Sequence, residues 1–340
     1  MTDIYGMTRE KLILWLTERG VKSFKAIQIY EWLYDKRVKS FDEMTNLKKD
    51  FIEELKNNFY FGALALRRKQ ESDTAIKYLF ELNDGNLIEA VVMKHDYGTS
   101  VCVSSQIGCN MGCVFCESGR LKKVRNLTAS EIVEEILAIE EDAKIRLDSV
   151  VVMGIGEPFD NYDNLIDFLN IINDAKGLAI GARHITVSTS GLVPKIREFA
   201  DFPLQVNLAI SLHAPNDELR NKLMPINKVY NIDTLKEAIK YYIEKTNRRV
   251  TIEYVMLKGV NDTEECAHEL VSLLRGLNVY VNLIPYNTTS ASEFRKSTEE
   301  DKMKFYDIIR RSGITITVRR EFGGKIDAAC GQLRANEVLK

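Results

Sequence analysis

The stretch "SVVVMGIGEPF" (residues 149–159) places an apolar, β-branched run directly before two glycines and a carboxylate. Runs of this kind are typical of strands that are buried on both faces. Five more follow along the chain: "HITVSTSG", "VNLAISLH", "RVTIEYVML", "VYVNLIP" and "ITITVRR". They alternate with longer amphipathic segments such as "TASEIVEEILAIEEDA" and "IDTLKEAIKYYIEKT". Six strand and helix repeats predict an α/β fold with a parallel sheet covered by helices.

This pattern does not give the strand order, so an open sheet and a barrel are both compatible with it. In either fold the functional loops follow the carboxyl ends of the strands. Polar or small residues stand at four of these ends: Gly156 and Glu157, Ser188, Ser211 to His213, and Asn287. We therefore expect these residues to lie near one site.

The segment before the repeats has a different pattern of apolar and polar residues. Residues 7 to about 60 show helical spacing with breaks at Gly20 and near Ser40, which predicts a small helical module. Two strand-like runs then meet at Asn83-Asp84-Gly85, a strong hairpin signal. These changes predict three parts: a helical accessory module (1–60), a β-hairpin extension (61–97) and a core (98–340).

Composition restricts the class of protein. The chain has 340 residues, 45% of them hydrophobic, which is enough for a substantial core. It shows neither a secretion signal nor an apolar run of membrane-spanning length, so we expect a cytoplasmic protein with no membrane partner. The formal net charge of −2 gives no general attraction to nucleic acid. An RNA would have to meet local basic runs at 67–69, 120–125 or 318–320, each of which is also compatible with an ordinary solvated surface.

Four of the six cysteines fall within fifteen positions, in "CVSSQIGCNMGCVFCESG" (residues 102–119). Cys109, Cys113 and Cys116 have the spacing C-x3-C-x2-C, and the glycines at 108 and 112 permit tight turns that would let three thiolates converge. In the reducing cytoplasm such cysteines are metal ligands or catalysts more often than disulfides. A structural zinc site is one alternative, although no fourth ligand stands at short spacing. A 4Fe-4S cluster held by three cysteines is the other, and it leaves one iron open.

This spacing resembles that of the radical S-adenosylmethionine superfamily, in which the open iron binds the amino and carboxylate groups of the cofactor and reductive cleavage yields a 5'-deoxyadenosyl radical. The segment "MGIGEPFDN" resembles the Gly-Glu loop that binds the methionyl ammonium in that superfamily. The resemblance implies a partial (β/α)6 barrel with the helical module and hairpin in front of it.

A narrower resemblance covers nearly the whole chain. The segments "CVSSQIGC", "NLTASEIVEEI", "GEPFDNYDN", "ITVSTSGLVPKI", "AISLHAPND", "NLIPYN" and "IDAACGQL" are similar to those of bacterial RNA methyltransferases. These enzymes modify carbon 2 of an adenine in the peptidyl-transferase centre of 23S rRNA, and some also modify an adenine beside the anticodon of tRNA. The chain departs from the usual pattern at "ESGRLKKVR" after the third cysteine, where Glu117 must be hydrogen-bonded or turned away from an anionic cofactor site.

The resemblance implies a role for each of the following residues. Cys109, Cys113 and Cys116 would hold the 4Fe-4S cluster. S-adenosylmethionine would be bound by Gly156, Glu157, Ser188, Ser211, Leu212, His213 and Asn287. Cys330 would carry the methyl group, Cys102 would be its partner thiol in a disulfide, and Glu89 would accept a proton.

The chemistry explains why two further cysteines are needed. Carbon 2 of adenine is electron-poor and has no acidic proton, so a radical is required, yet one cofactor is both radical source and methyl donor. This conflict is resolved if each turnover uses two S-adenosylmethionine molecules and the methyl group is first held on Cys330. The thioether carbon formed there can lose a hydrogen atom and become the radical that joins the base. Once that carbon has joined the base, Cys102 would remove the proton and form the disulfide that releases the product.

A purely structural role is the alternative for several of these residues. Glu89 is equally compatible with a carboxylate at a strand edge, and His213 with a hydrogen bond at a strand end. We expect Cys266 to be a small buried hydrophobe, His268 to lie on a helix surface, and Trp15, Tyr30, Trp32 and Tyr34 to be helix core rather than base-stacking groups.

The main hypothesis is therefore a radical S-adenosylmethionine RNA methyltransferase. The expected partners are 23S rRNA, tRNA and an electron donor such as flavodoxin or ferredoxin, and the chain is expected to be a monomer. One alternative is a carbon-8 methyltransferase of the same rRNA adenine, of the antibiotic-resistance type, which the cysteines cannot distinguish. An alternative from another class is a non-enzymatic, zinc-stabilised RNA-binding protein.

Overall fold

The N-terminal part of the chain is a small helical unit. The computed structural model describes residues 1–287, 293–320 and 334. In this first part it contains strands β1 (Thr2–Asp3) and β2 (Phe59–Tyr60), which pair in parallel, and helices α1 (Arg9–Thr17), α2 (Phe24–Tyr30) and α3 (Lys49–Asn58). The Thr8 hydroxyl accepts from the Lys11 backbone N–H and so caps α1. The helices expected before residue 60 are confirmed.

The middle of the chain forms an antiparallel meander. Its strands are β3 (Ala65–Glu71), β4 (Ala75–Glu81), β5 (Leu87–His95) and β6 (Gly98–Val103). Strands β4 and β5 form the hairpin expected at Asn83-Asp84-Gly85, and Gly85 has the positive φ of 79° that its turn requires. Strand β3 was not expected from the sequence. Two short strands, β7 (Gln106–Ile107) and β8 (Arg125–Asn126), pair around helix α4 (Glu117–Arg120).

The rest of the described chain alternates helices and strands. Its elements are α5 (Ala129–Ala143), β9 (Ser149–Val152), α6 (Tyr162–Asn173), β10 (Ile185–Thr189), α7 (Val193–Phe199), β11 (Asn207–Ser211), α8 (Asp217–Leu223), α9 (Ile232–Thr246), β12 (Val250–Met256), α10 (Glu264–Leu274), β13 (Val279–Pro285), α11 (Glu299–Arg311) and β14 (Thr315–Val318). Each of the six expected runs is a strand.

One sheet joins the meander to these strands, in the order β14-β13-β12-β11-β10-β9-β6-β5-β4-β3. All neighbours from β6 to β14 are parallel, and within this sheet they follow one another in chain order, with β7 and β8 forming a separate pair between β6 and β9. A doubly wound sheet would reverse direction at a switch point, whereas sequential winding is that of a (β/α) barrel. Six helix-connected steps and two edges within the described residues make this a partial (β/α)6 barrel, as expected.

The helical unit and the barrel share one hydrophobic core. Leu12 and Tyr30 are buried in the same cluster as Ile132 and Ile136 of α5 and as Ile252 of β12. Tyr34 is buried as well, and Trp15 and Trp32 pack against the cluster, so these aromatic side chains are core, as expected. No helix in the part of the chain that the structure describes is long and apolar enough to cross a membrane.

Candidate active site

A cavity of about 360 Å³ opens between the carboxyl ends of the parallel strands and the meander. Of the residues expected at the site, those that line it are Glu89, Cys102, Cys109, Cys113, Cys116, Gly156, Glu157, Ser188, Ser211, His213 and Asn287. Leu212 does not line it, because its side chain is buried in the core. Cys330 lies outside the described residues.

The three clustered cysteines lie in the loop between β7 and α4. Gly108 and Gly112 have φ angles of 79° and 66°, and a Cβ at Gly108 would lie 2.1 Å from the Lys122 carbonyl oxygen. Burial raises the pKa of the Cys109 thiol to about 12, with the nearby Cys116 and Glu157 adding to the effect. Burial likewise raises the pKa of Cys113 well above its usual range. Three desolvated thiols side by side need positive charge before they can ionise, and iron ions supply it.

All three cysteines line the same cavity, and in addition to burial their proximity contributes to the raised pKa values of Cys109 and Cys113. Within the described ranges, no three His, Cys, Asp or Glu side chains are close enough to hold a single metal ion. Each cysteine ligand of a 4Fe-4S cluster binds its own iron, so the ligands surround a cubane rather than one atom. Three soft donors on one loop, of which Cys109 is buried and Cys113 and Cys116 are partly buried, therefore fit that cluster.

Glu117 follows the third cysteine and is buried in the cavity wall. Its Oε2 lies 3.3 Å from the Arg120 guanidinium, one turn along α4. The carboxylate is therefore paired, which is one of the two outcomes expected for it.

The loop after β9 presents Glu157 to the cavity. Gly156 has a φ of 111°, and a Cβ there would lie 2.6 Å from Cβ of Gln106, so only glycine fits. The Glu157 backbone N–H donates to Oε1 of Gln106 at 2.9 Å. Its carboxylate accepts from the backbone N–H groups of Phe159 (3.0 Å) and Ser190 (2.7 Å). The carboxylate lines the cavity, where it can accept from a cationic ligand.

Burial raises the pKa of Glu157, and the backbone N–H groups that point at it oppose this shift. An ammonium group in the cavity would lower the pKa again. The buried hydroxyl of Ser190, which has no hydrogen-bond partner among the described residues, is a further polar group available here. The local chemistry thus fits the amino-acid end of S-adenosylmethionine.

The next strands contribute two hydroxyls and one imidazole. The Ser188 and Ser211 hydroxyl oxygens lie 3.4 Å apart at the ends of β10 and β11. His213 has a φ of 58°, and its Nδ1 accepts from the Val255 backbone N–H at 3.0 Å, so Nε2 carries the proton. Burial and the charge of Arg220 lower the pKa of His213 to about 3, so the ring is a neutral hydrogen-bond donor.

Arg220 was not expected from the sequence and is fully buried behind these residues. Its guanidinium donates to the carbonyl oxygens of Ser190 (2.7 Å) and Leu212 (3.2 Å) and to Oδ1 of Asn227 (2.8 Å). It therefore fixes the ends of β10 and β11. Leu212 takes part in the site through its backbone: its carbonyl oxygen accepts from Arg220, and its N–H donates to the Glu253 carbonyl oxygen at 3.1 Å. A charged residue in the short polar helix α8 gives no sequence signal for such a role.

Glu253 of β12 was also missed. It is buried, it lines the cavity, and its Oε2 accepts from the Asn282 side-chain amide at 2.9 Å. Burial raises its pKa, and the charge of Arg319 opposes the shift. A single carboxylate within the apolar run "VTIEYVM" was a signal that could have found it.

Glu89 is not an edge carboxylate. Strand β5 lies inside the sheet between β4 and β6, and Glu89 is buried with its Oε2 3.1 Å from Nζ of the fully buried Lys77. Its Oε1 accepts from the Arg334 backbone N–H. The alternative of a strand-edge carboxylate is therefore wrong, because β5 has a neighbouring strand on each side and Glu89 is buried in the cavity wall.

Cys102 lies on β6, between Val91 of β5 and Val151 of β9. Burial raises the pKa of its thiol to about 11, with the Arg319 charge in opposition. The thiol is therefore protonated near neutral pH in the absence of a partner. His213 forms a hydrogen bond at the end of β11, which is the structural role given as its alternative. His268 is exposed on α10, and Cys266 is buried in the same helix, as expected for both residues.

The basic run at 120–125 is not a free cationic patch. Lys123 pairs with Asp160 at 2.7 Å, and Arg125 pairs with both Asp84 and Glu131 at 2.7 Å. The charges of Lys123 and Arg125 are used within the fold, and the basic residues of this run that are exposed are Arg120, which pairs with Glu117, and Lys122. Reversal of the Arg125 charge would break these ion pairs before it tested contact with RNA.

Comparison with known proteins agrees with this geometry. Residues 103–274 match the radical SAM superfamily, and residues 2–61 match the ribosomal RNA large subunit methyltransferase N-terminal domain. A protein of Listeria welshimeri named "Probable dual-specificity RNA methyltransferase RlmN" is 57% identical, with 100% of this chain and 95% of the relative covered. A Streptococcus thermophilus protein of the same name is 56% identical, covering 99% and 89%.

A solved structure shows the same fold. The crystal structure of a radical SAM methyltransferase from Sphaerobacter thermophilus is 44% identical and superposes with a TM-score of 0.91, covering 98% of this chain and 100% of that one. The match includes the helical unit, the meander and the barrel. This chain therefore belongs to the radical SAM superfamily and, within it, to the RlmN family of RNA methyltransferases.

Proposed function

We propose that this chain methylates carbon 2 of an adenine in the peptidyl-transferase centre of 23S rRNA and of an adenine beside the anticodon in tRNA. The observation that carries the proposal is that the cluster cysteines, the Gly-Glu loop and Cys102 line a single cavity. Full-length relatives that are named dual-specificity RNA methyltransferases support both substrates.

The cavity supplies distinct places for the cofactors of this family. Cys109, Cys113 and Cys116 would hold the 4Fe-4S cluster, and Glu157, which lines the same cavity, would accept from the amino group of S-adenosylmethionine. Ser188, Ser211, His213 and Asn287 would contact S-adenosylmethionine, with Gly156 giving it room and Leu212 supporting Arg220. When bound, the reduced cluster supplies the electron that cleaves the cofactor and starts radical chemistry.

The other residues of the cavity handle protons and the methyl group. The buried Lys77 ammonium lies 3.1 Å from Glu89 and supplies its counter-charge, and we keep Glu89 as the proton acceptor on the strength of the family resemblance. Cys102, protonated at rest, would become the thiolate partner of Cys330. We keep Cys330 as the methyl carrier on the strength of its segment "IDAACGQL".

The proposal extends to the remaining partners and to the division of the chain. A flavodoxin or ferredoxin would reduce the cluster, and the protein would act as a cytoplasmic monomer. Residues 1–60 would be an RNA-contacting accessory module, 61–97 a β-extension and 98–340 the catalytic core. Because the sheet and the core run through these boundaries, we expect the three parts to fold together.

Mass spectrometry of rRNA and tRNA adenosines from cells with and without the gene tests the proposal. Loss of 2-methyladenosine from both RNAs on deletion is the expected result. Loss of 8-methyladenosine would identify the carbon-8 reaction instead, and unchanged adenosines would contradict an RNA methyltransferase. Iron and sulfide analysis after anaerobic purification separates both enzymes from a zinc-stabilised binding protein.

A further inference from the structure

The turn between β5 and β6 exposes an aromatic pair beside the cavity. Tyr97 is 86% exposed, more than any other large hydrophobic side chain in the described residues. Its ring stacks on the His95 imidazole with centroids 4.8 Å apart and planes 17° from parallel. The His95 Nε2 and the Ser100 hydroxyl are hydrogen-bonded at 2.8 Å, which fixes the ring beneath Tyr97. One face of Tyr97 is thus supported, and the ring is otherwise open to solvent.

Cations lie next to this pair. The Arg320 guanidinium is 3.7 Å from the Asp96 carboxylate, and Asp96 stands between the two aromatic residues in the sequence. Arg320 is more than half exposed, so an anion from outside can reach its guanidinium. The neighbouring Arg319 reaches Sδ of Met93 at 3.9 Å.

The pair borders the candidate active site. Met93, Arg319 and Arg320 all line the cavity. Met93 is opposite Ser100 in the β5–β6 ladder, and His95 is opposite Gly98 at its end. The aromatic pair therefore lies one step beyond the cavity wall, where the chain leading into a bound target nucleotide would pass.

An exposed aromatic ring, a supporting ring and an arginine are the parts of a site for single-stranded nucleic acid. Every base has a face that can stack on an aromatic ring, and arginine meets phosphate with a planar set of donors. A protein partner would not need the adjacent catalytic cavity. A folded RNA that presents one adenine to that cavity must pass its neighbouring nucleotides over the rim.

We propose that Tyr97, supported by His95, stacks on an unpaired RNA base next to the target adenine while Arg320 contacts the phosphate between them. The inference rests on the proposed function, because it names the surface by which that RNA is held. Asp96 weakens the site, since its carboxylate competes with the phosphate for Arg320.

Binding of tRNA transcript and of an rRNA fragment to the anaerobically purified holoprotein tests the site. Tyr97→Ala should weaken binding about 5- to 100-fold, the range for loss of one base–aromatic stack, whereas Tyr97→Phe should keep it. Arg320→Gln should make the salt dependence shallower: the negative slope of log affinity against log salt concentration should shrink by about 1. Asp96→Asn should tighten binding.

Met303→Ala is the control, because Met303 is an exposed apolar side chain (45%) on α11 that does not line the cavity and should leave affinity unchanged. Cleavage of S-adenosylmethionine without RNA should be equal in the unsubstituted protein, the Tyr97 variants and the control variant, which shows that the fold and cofactor site are intact. Wild-type affinity in Tyr97→Ala would overturn this inference alone. Absence of RNA binding and methylation in the unsubstituted protein would overturn the proposed function.

Discussion

At the scale of single residues, the cavity is distinguished by charged side chains where the sheet is otherwise apolar. Lys77, Glu89 and Glu253 each interrupt a buried strand, and all three line the same space. An isolated charge buried in protein is costly, so a fold retains it only where it is paired or used. The positions of these charges therefore indicate where the reaction occurs.

Removal of one cluster ligand should abolish the cluster. Cys113→Ala leaves two thiolates, which cannot hold a cubane with one open iron, so iron should fall to background after anaerobic purification. Cys266→Ala is the control, because Cys266 is a buried cysteine of α10 outside the cavity and should keep full iron. A Cys113→Ala protein with full iron and sulfide would show that the cluster is held elsewhere.

Loss of Cys102 should trap the reaction after the methyl carbon has joined the base. At that stage Cys330 is bonded to the RNA through a methylene, and no thiol remains to form the releasing disulfide. Cys102→Ala should accumulate a protein–RNA adduct that survives denaturation and disappears on ribonuclease treatment. The Cys102→Ala/Cys330→Ala double variant should form none. Normal turnover without an adduct would assign proton removal to another group, Glu89 being the first choice.

At the scale of elements, the contact between the helical unit and α5 depends on a pair of carboxyl groups. A Cβ at Gly62 would lie 2.0 Å from Oδ2 of Asp3 and 2.1 Å from Oε1 of Glu134, so the two side chains face one another across this glycine. The Glu134 Oε1 is buried with no donor among the described residues. Burial and the neighbouring Asp3 raise the pKa of Glu134, which places a proton between the two groups.

The stability of this contact should depend on pH. A carboxyl group with a raised pKa in the folded state binds more protons there than when unfolded, so its contribution is full below the usual value of about 4.5 and falls as the pH rises. Glu134→Gln supplies a permanent donor to Asp3. In urea unfolding between pH 5 and 9, the variant should gain stability relative to the parent, by about 1–3 kcal/mol at the upper end.

The difference between the two unfolding curves isolates Glu134. Burial also raises the pKa of Glu135, and that group contributes the same slope to both proteins. Parallel pH curves for the parent and Glu134→Gln would show that no proton is held at this contact.

At the scale of the whole molecule, the sequence predicted the barrel strands because burial on both faces leaves continuous apolar runs. It did not predict β3, "ALRRKQE", since this edge strand is mostly exposed and has little apolar pattern. Strand order was also beyond the pattern, because pairing between neighbours leaves no mark on composition. The family resemblance, and not periodicity, predicted the barrel.

The functional site, like the fold, could be predicted from the sequence only in part. The positions of cysteines and of polar strand ends could be predicted, because they follow the strands that bring them together. The pairing of Lys123 with Asp160 and of Arg125 with Asp84 could not, since each carboxylate is about forty residues distant in the chain. Arg220 was missed because its partners, Asn227 and Ser190, lie outside its own helix α8.

The central claim is that this protein transfers a methyl group to carbon 2 of an RNA adenine. The most direct measurement incubates the anaerobically purified holoprotein with methyl-deuterated S-adenosylmethionine, a one-electron reductant and unmodified 23S rRNA, followed by mass spectrometry of the nucleosides. The account predicts 2-methyladenosine containing two deuterium atoms from the donor methyl group, because one is removed from the carrier before the carbon reaches the base. Intact transfer of all three deuterium atoms, or label at carbon 8 alone, would contradict it.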